Sequence, residues 1–131
     1  FLGGARAQEE SLCRASALHE CLRECRMYPH HAPARGGFYT NYAVYSPAVP
    51  VFKDDAGEPL AVPYPCAFVT APAVNVGAIG RDDHPRVRGE MADRIEKVLA
   101  VLAAHGHAAG VLGAWGCGVF RNDPGMIADL F

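Results

Sequence analysis

The stretch from Arg88 to Ala104 constrains the fold most. Met91, Ile95, Val98, Leu99 and Leu102 fall 4, 3, 1 and 3 residues apart, a spacing that lines one side of an α-helix. A one-sided helix must bury its apolar stripe against another layer. Short apolar runs flank it, Cys66 to Thr70 before and Ala108 to Leu112 after, and both are expected as buried strands. Asn75, Gly77 and Gly80 follow the first run, and the second leads directly into Gly113-Ala114-Trp115-Gly116-Cys117-Gly118. Strand, glycine-rich loop and helix, repeated in that order, point to an α/β fold rather than an all-α or all-β one. Ligands in such folds bind where loops leave the carboxyl ends of strands.

The remaining segments fill in around this frame. Gln8 to Arg26 contains no Gly or Pro and is expected as one helix, with Leu12, Ala15, His19, Leu22 and Arg26 as its buried stripe. Pro29 is expected to close it, and Pro33, Gly36 and Gly37 to form a loop. Phe1 to Ala5 reads as a glycine-containing loop. Tyr42 to Tyr45 and Val49 to Phe52 are β-prone runs beside Pro47 and Pro50, and Lys53-Asp54-Asp55-Ala56-Gly57 has the composition of a hairpin turn. Gly106 is the expected stop of the long helix. A last helix should begin after Pro124, capped by Asn122 or Asp123. The mixed-sign run Arg81 to Arg88 reads as a solvated connection.

With 131 residues, half of them apolar, and a net charge of −2, the chain suits one globular domain, residues 1–131, with a real core. No basic surplus marks it as a binder of nucleic-acid backbones. Five cysteines, an odd number without regular spacing, argue against a disulfide scaffold and for a reducing cytoplasm. No run approaches the roughly 18 apolar residues of a membrane span, and no signal peptide is recognisable. The chain opens at Phe1 without a methionine and stops at Phe131 within an apolar-periodic segment, so both ends read as cut from a longer protein.

Two segments carry chemistry. In Gly113 to Phe120 the glycines allow close backbone approach and let successive amides face an anion. A helix start just downstream would add a favourable dipole. The loop lacks the Lys and Ser/Thr of a nucleotide-hydrolysing P-loop. From the residues alone a phosphate cradle and a tight packing turn stay equally open. The second segment is Gln8-Glu9-Glu10 at a helix start, where acidic residues are favoured by the helix dipole alone. Adjacent helical positions point about 100° apart, so Glu9 and Glu10 cannot share one role.

Taken together, these motifs resemble the bacterial-type poly(ADP-ribose) glycohydrolases. That family carries a triple glycine, a spacer of a few residues and Gln-Glu-Glu. Here Phe1-Leu2-Gly3-Gly4-Ala5-Arg6-Ala7 stands as the spacer before Gln8-Glu9-Glu10, and the chain begins just after the expected place of the triple glycine. Gly113-Ala114-Trp115-Gly116-Cys117-Gly118-Val119-Phe120 is similar to the family's diphosphate loop. Tyr45-Ser46-Pro47 with Val49-Pro50-Val51-Phe52, and Pro72-Ala73-Val74-Asn75, look like its intervening segments. The resemblance implies a macrodomain-like three-layer α/β/α fold with a mixed sheet. It implies hydrolysis of ribose–ribose glycosidic bonds in poly(ADP-ribose), with Glu10 as the acid and Glu9 holding ribose hydroxyls. Gln8, Gly113 to Phe120 and Asn122 would contact the ligand, with Phe120 packing against the terminal ribose. The resemblance further implies no cofactor and no metal. The partners would be poly(ADP-ribose) or an ADP-ribosylated protein, met by a monomer that engages neither membrane nor nucleic acid. A non-catalytic ADP-ribose binder and a mono-ADP-ribosyl hydrolase are the alternatives.

Other residues invite weaker readings. His19, Cys21, Cys25, His30 and His31 match no common zinc spacing and are expected as small buried thiols and surface histidines. Cys117 has no partner base and reads as a small spacer near phosphate. Trp115 is expected to anchor its loop in the core.

Overall fold

The computed structural model describes residues 7–31 and 35–131. Phe1 to Arg6, with the glycines of the expected opening loop, and Pro33 lie outside the described residues. The chain divides into two compact units, one drawing on the segment up to Arg26 and on Val44–Thr70, the other on Met27–Ala43 and Ala71–Phe131.

In the first unit, helices α1 (Gln8–Ala15) and α2 (Leu18–Arg23) pack against a hairpin of β1 (Val44–Lys53) and β2 (Pro59–Thr70). The single helix expected over Gln8 to Arg26 is broken at Ser16. Its hydroxyl donates to the Leu12 carbonyl at 2.6 Å and accepts the Leu18 N–H at 3.2 Å, so the side chain substitutes for backbone partners. Its backbone bridges Val51, and the Ala17 N–H donates to the Pro50 carbonyl at 3.0 Å. Of the expected stripe only Leu22 is buried, joined after the break by Leu18, while Leu12, Ala15 and His19 are half-buried and Arg26 is exposed.

The hairpin turn lies where Lys53 to Gly57 placed it. The Asp54 N–H donates to the Glu58 carbonyl, and the Asp54 carboxylate accepts the Glu58 N–H at 2.9 Å. The second β-prone run before it and the end of the first, from Val44, lie in one strand. A register shift between Ser46 and Val49 adds the extra residue of a bulge at Pro47 and Ala48, so Ser46, Val49 and Val51 all face inward. Cys66 to Thr70 is the end of the longer β2 and is half-buried rather than buried, because it lines a two-stranded antiparallel ladder.

In the second unit, α4 (His84–Ala104) packs with α5 (Pro124–Leu130). Ala73, Val74, Val87, Met91 and Ile127 form its core, with Phe38, Trp115, Phe120 and Met126 packed around them. The long helix begins one turn earlier than Arg88, with Pro85 in its first turn, where a missing N–H costs nothing. Arg81 to Arg88 is therefore a 3₁₀ turn and a helix start, not a connection. The buried face follows that shift: Val87, Met91, Arg94 and Ile95 are buried, Val98 and Leu102 half-buried and Leu99 exposed. The helix ends in a Schellman motif: Gly106 at φ +72° donates to the Ala103 carbonyl, and His107 to that of Leu102.

Two further expectations are corrected here. Ala108 to Leu112 is not a strand but extended loop, with Val111 fully exposed; an apolar run becomes a strand only beside a partner edge, and among the described residues none pairs with it. Pro29 does not close a helix but sits in α3 (Met27–His31), inside the first turn where proline is tolerated. Of the two caps expected for the last helix, Asp123 is the one used, and it accepts the Met126 N–H at 2.7 Å. Among the described residues, no helix is long and apolar enough to cross a membrane.

Candidate active site

Gln8, Glu9 and Glu10 occupy the first turn of α1. Ala7, the N-cap residue, has no side-chain acceptor. Glu10, three positions on, reaches back so that its Oε2 accepts the Ala7 N–H at 3.2 Å, half of a capping box. This contact accompanies its burial: Glu10 is 8% exposed, while Glu9 is half-buried and Gln8 exposed. The two glutamates thus differ in environment, as positions 100° apart on a helix require. Cys13, one turn on, records their field. Burial pushes its thiol pKa up, and the Glu9 and Glu10 carboxylates push it further, since a thiolate there would face like charge.

In the second unit, the loop from Gly113 to Asn122 is folded upon itself. The Trp115 N–H donates to the Gly113 carbonyl at 2.7 Å, Cys117 to Ala114 at 3.0 Å, Arg121 to Gly118 at 3.0 Å and Asn122 to Gly116 at 3.1 Å. Buried Asn122, 3% exposed, clamps it by donating Nδ2 to the Val74 carbonyl at 2.7 Å and the Gly116 carbonyl at 3.0 Å. Among the described residues, the amides of Gly116, Gly118, Val119 and Phe120 donate to no partner. Donors left over from such a turn are what an anion cradle needs.

The glycines divide by role. Gly116 has φ +76°, and a Cβ there would lie 2.5 Å from the Ala73 Cβ and 2.6 Å from Asn122 Nδ2; it serves packing. Among the described residues, a Cβ on Gly118 would meet nothing within 4 Å, so these residues leave the backbone there open to approach. The helix start downstream is not open in the same way, because the Asp123 carboxylate already occupies the N-terminus of α5. Trp115 is an anchor, packed on the core with Nε1–H directed to the Ala71 carbonyl at 3.3 Å. Burial, and then Asp123, pushes the Cys117 thiol pKa up, away from a nucleophile's range. Phe120 is half-buried and stacked with Tyr39, ring centroids 5.9 Å apart and planes at 27°.

Sequence reasoning missed the support beneath this region. Arg94, 3% exposed, donates Nε to Asn41 Oδ1 at 2.9 Å, Nη1 to the Pro72 carbonyl at 3.3 Å and Nη2 to the Phe38 carbonyl. Burial lowers its pKa, with Glu90 opposing the shift. The available signal was a charged residue inside the apolar stripe of α4, three places after Met91 and one before Ile95. His31, expected at the surface, is buried instead, with Nδ1 2.9 Å from Thr40 Oγ1. Burial first, then His30 and Arg94, lowers its pKa below the ordinary 6.5. Cys21 is exposed and Cys25 half-buried, so the expectation of buried thiols fails at the first. Among the described residues, no group of three or more His, Cys, Asp or Glu side chains is placed to hold a metal ion.

Residues 1–54 match the family described as microbial-type PARG, catalytic domain. The structure of poly(ADP-ribose) glycohydrolase from Thermomonospora curvata is 47% identical with a TM-score of 0.93, covering 98% of this chain and 48% of its own. The same enzyme bound to the inhibitor ADP-HPD is equally similar, covering 98% of this chain and 49% of its own. A Deinococcus radiodurans poly(ADP-ribose) glycohydrolase in complex with ADP-ribose is 45% identical, with a TM-score of 0.92, 99% of this chain covered and 54% of its own. The chain spans about half the length of these solved structures. The mixed α/β class expected from the sequence agrees with theirs. No curated protein matches the chain.

Proposed function

We propose, because this chain belongs to the microbial-type poly(ADP-ribose) glycohydrolase family, that residues 1–131 form part of a catalytic domain that hydrolyses ribose–ribose bonds of poly(ADP-ribose) and releases ADP-ribose. The observation that carries this reading is Glu10, an acidic side chain withdrawn from solvent at the start of a helix and preceded by Gln8 and Glu9. The unspent amides of Gly116, Gly118, Val119 and Phe120 support a diphosphate cradle.

In this mechanism Glu10 gives its proton to the departing 2′-oxygen as the glycosidic bond breaks. The sugar passes through an oxocarbenium-like transition state, stabilised by the substrate's own diphosphate on the loop amides. Water then bonds to the anomeric carbon and returns a proton to the Glu10 carboxylate, so acid and base roles alternate on one group. Glu9 orients ribose hydroxyls, Phe120 packs against the terminal ribose, Gln8 lies beside them, and Asn122 acts by clamping the loop. Gly113, Ala114, Trp115 and Cys117 shape the cradle. The chemistry calls on no cofactor. Five cysteines without regular spacing support a reducing, cytoplasmic setting.

The test is hydrolysis of poly(ADP-ribose) beside ADP-ribose affinity for wild type and Glu10→Gln. Binding retained with hydrolysis lost in the variant supports the enzyme. Binding without hydrolysis in the wild type would make the chain an ADP-ribose reader. A linkage panel separates poly- from mono-ADP-ribosyl hydrolysis.

A further inference from the structure

Tyr39 holds an unusual backbone. Its φ is +57°, a region that bulky side chains rarely enter and that a glycine would occupy without strain. Non-glycine residues persist there when their surroundings over-determine them, and the neighbours of Tyr39 do so. The Gly37 carbonyl accepts the Asn75 N–H at 2.7 Å, and the Phe38 carbonyl accepts from Arg94. On the far side, Thr40 Oγ1 pairs with His31 Nδ1 at 2.9 Å, and Asn41 Oδ1 accepts from Arg94 Nε at 2.9 Å. Each residue on either side of Tyr39 is thus tied to buried structure, and the strained position delivers an aromatic ring.

That ring goes to Phe120. The two rings stack at 5.9 Å and 27°, while His31 meets the Tyr39 ring edge-on at 5.9 Å. The backbone of Phe120 is itself held: its carbonyl accepts the Val76 N–H at 2.9 Å, and Arg121 follows at φ +60°. What remains to be set is the orientation of the Phe120 ring, and Tyr39 covers one side of it. Among the described residues the Tyr39 hydroxyl makes no hydrogen bond, so the ring face is the functional part.

We infer that Tyr39 is a positioning residue that backs the Phe120 ring and holds it in the orientation that packs against the terminal ribose. This rests on the proposed glycohydrolase function. Orientation of a sugar at the reacting carbon acts on the chemical step more than on ground-state binding.

The experiment compares Tyr39→Gly, Tyr39→Phe, Phe120→Ala and the double variant Tyr39→Gly/Phe120→Ala in the full chain, reading kcat and KM for poly(ADP-ribose) with thermal unfolding alongside. Tyr39→Gly should lower kcat about ten-fold with KM within about two-fold. Tyr39→Phe should restore the rate, since it returns the ring without the hydroxyl. The double variant should be no slower than Phe120→Ala alone, because a residue acting through Phe120 has nothing left to position. A merely structural Tyr39 would instead multiply the two losses, and that result, or a Tyr39→Gly rate within about two-fold of wild type, overturns the inference. The premise fails separately: a wild type that does not hydrolyse the polymer, or a Glu10→Gln variant as fast as wild type, sinks the function and the inference together. Hydrolysis that depends on Glu10 and Phe120 but not on Tyr39 sinks the inference alone.

Discussion

The Glu10 carboxylate accepts the backbone N–H of Ala7, three residues earlier, at 3.2 Å. The side chain proposed to donate a proton therefore also closes the first turn of its own helix. Glu10→Gln keeps a carbonyl oxygen for that N–H and removes the acid. It should lower kcat at least about a hundred-fold while the free energy of unfolding stays within about 0.5 kcal/mol of wild type. Glu10→Ala loses both functions and should cost a further ~1 kcal/mol of stability. Denaturant titration beside a rate assay separates the two.

Gly116 and Gly118 should respond oppositely to the same substitution. Gly116→Ala forces a Cβ to 2.5 Å from Ala73 at φ +76°, and should destabilise the fold by about 2–4 kcal/mol. Gly118→Ala meets no atom of the described residues within 4 Å and should leave stability within about 0.5 kcal/mol. In the proposed cradle, however, its methyl would stand in the path of the diphosphate, and ADP-ribose affinity should fall about ten-fold. Urea unfolding and calorimetric titration give the two numbers; equal affinities for wild type and Gly118→Ala would argue against the cradle.

Arg94→Lys should behave as a severe change despite its conserved charge. A single ammonium cannot serve Asn41, the Pro72 carbonyl and the Phe38 carbonyl together. Leaving buried acceptors unpaired should cost about 2–4 kcal/mol, measured as a shifted denaturation midpoint. A midpoint unchanged in Arg94→Lys would show that water replaces those bonds.

His31 should make the fold sensitive to mild acid. Its pKa lies below the ordinary 6.5 because burial, with His30 and Arg94 beside it, disfavours the imidazolium. Above 6.5 both folded and unfolded chains hold it neutral, and its contribution is complete. As pH falls below that value the unfolded chain takes up the proton first, so stability declines until the folded pKa is passed. Comparing denaturation midpoints at about pH 7.5 and about pH 5.5, His31→Gln should flatten part of the decline.

The legible parts of the chain were those decided within a few residues. The turn at Asp54 to Gly57, the stop at Gly106 and the start at Pro124 each rest on a local requirement: an Asp side chain bonding its own turn, a positive φ, a missing N–H. The glycine loop was legible as a loop, and the order of its motif with Gln8-Glu9-Glu10 identified the family. The break in the first helix needed a distant partner. The helix breaks at Ser16 where β1 bridges it at Val51 and the Pro50 carbonyl takes the Ala17 N–H, and nothing in Gln8 to Arg26 signals that.

Residue type and short-range spacing, acting through backbone geometry, determined the turn at Asp54 to Gly57, the stop of the long helix at Gly106 and the acidic start of the first helix. Only packing decided that Ala108 to Leu112 finds no strand partner among the described residues, that Gly116 is a contact glycine while Gly118 meets none of those residues, and that Arg94 lies buried beneath the segment carrying Tyr39. The reason is that burial and pairing are properties of two surfaces at once, and one stretch of sequence describes only its own.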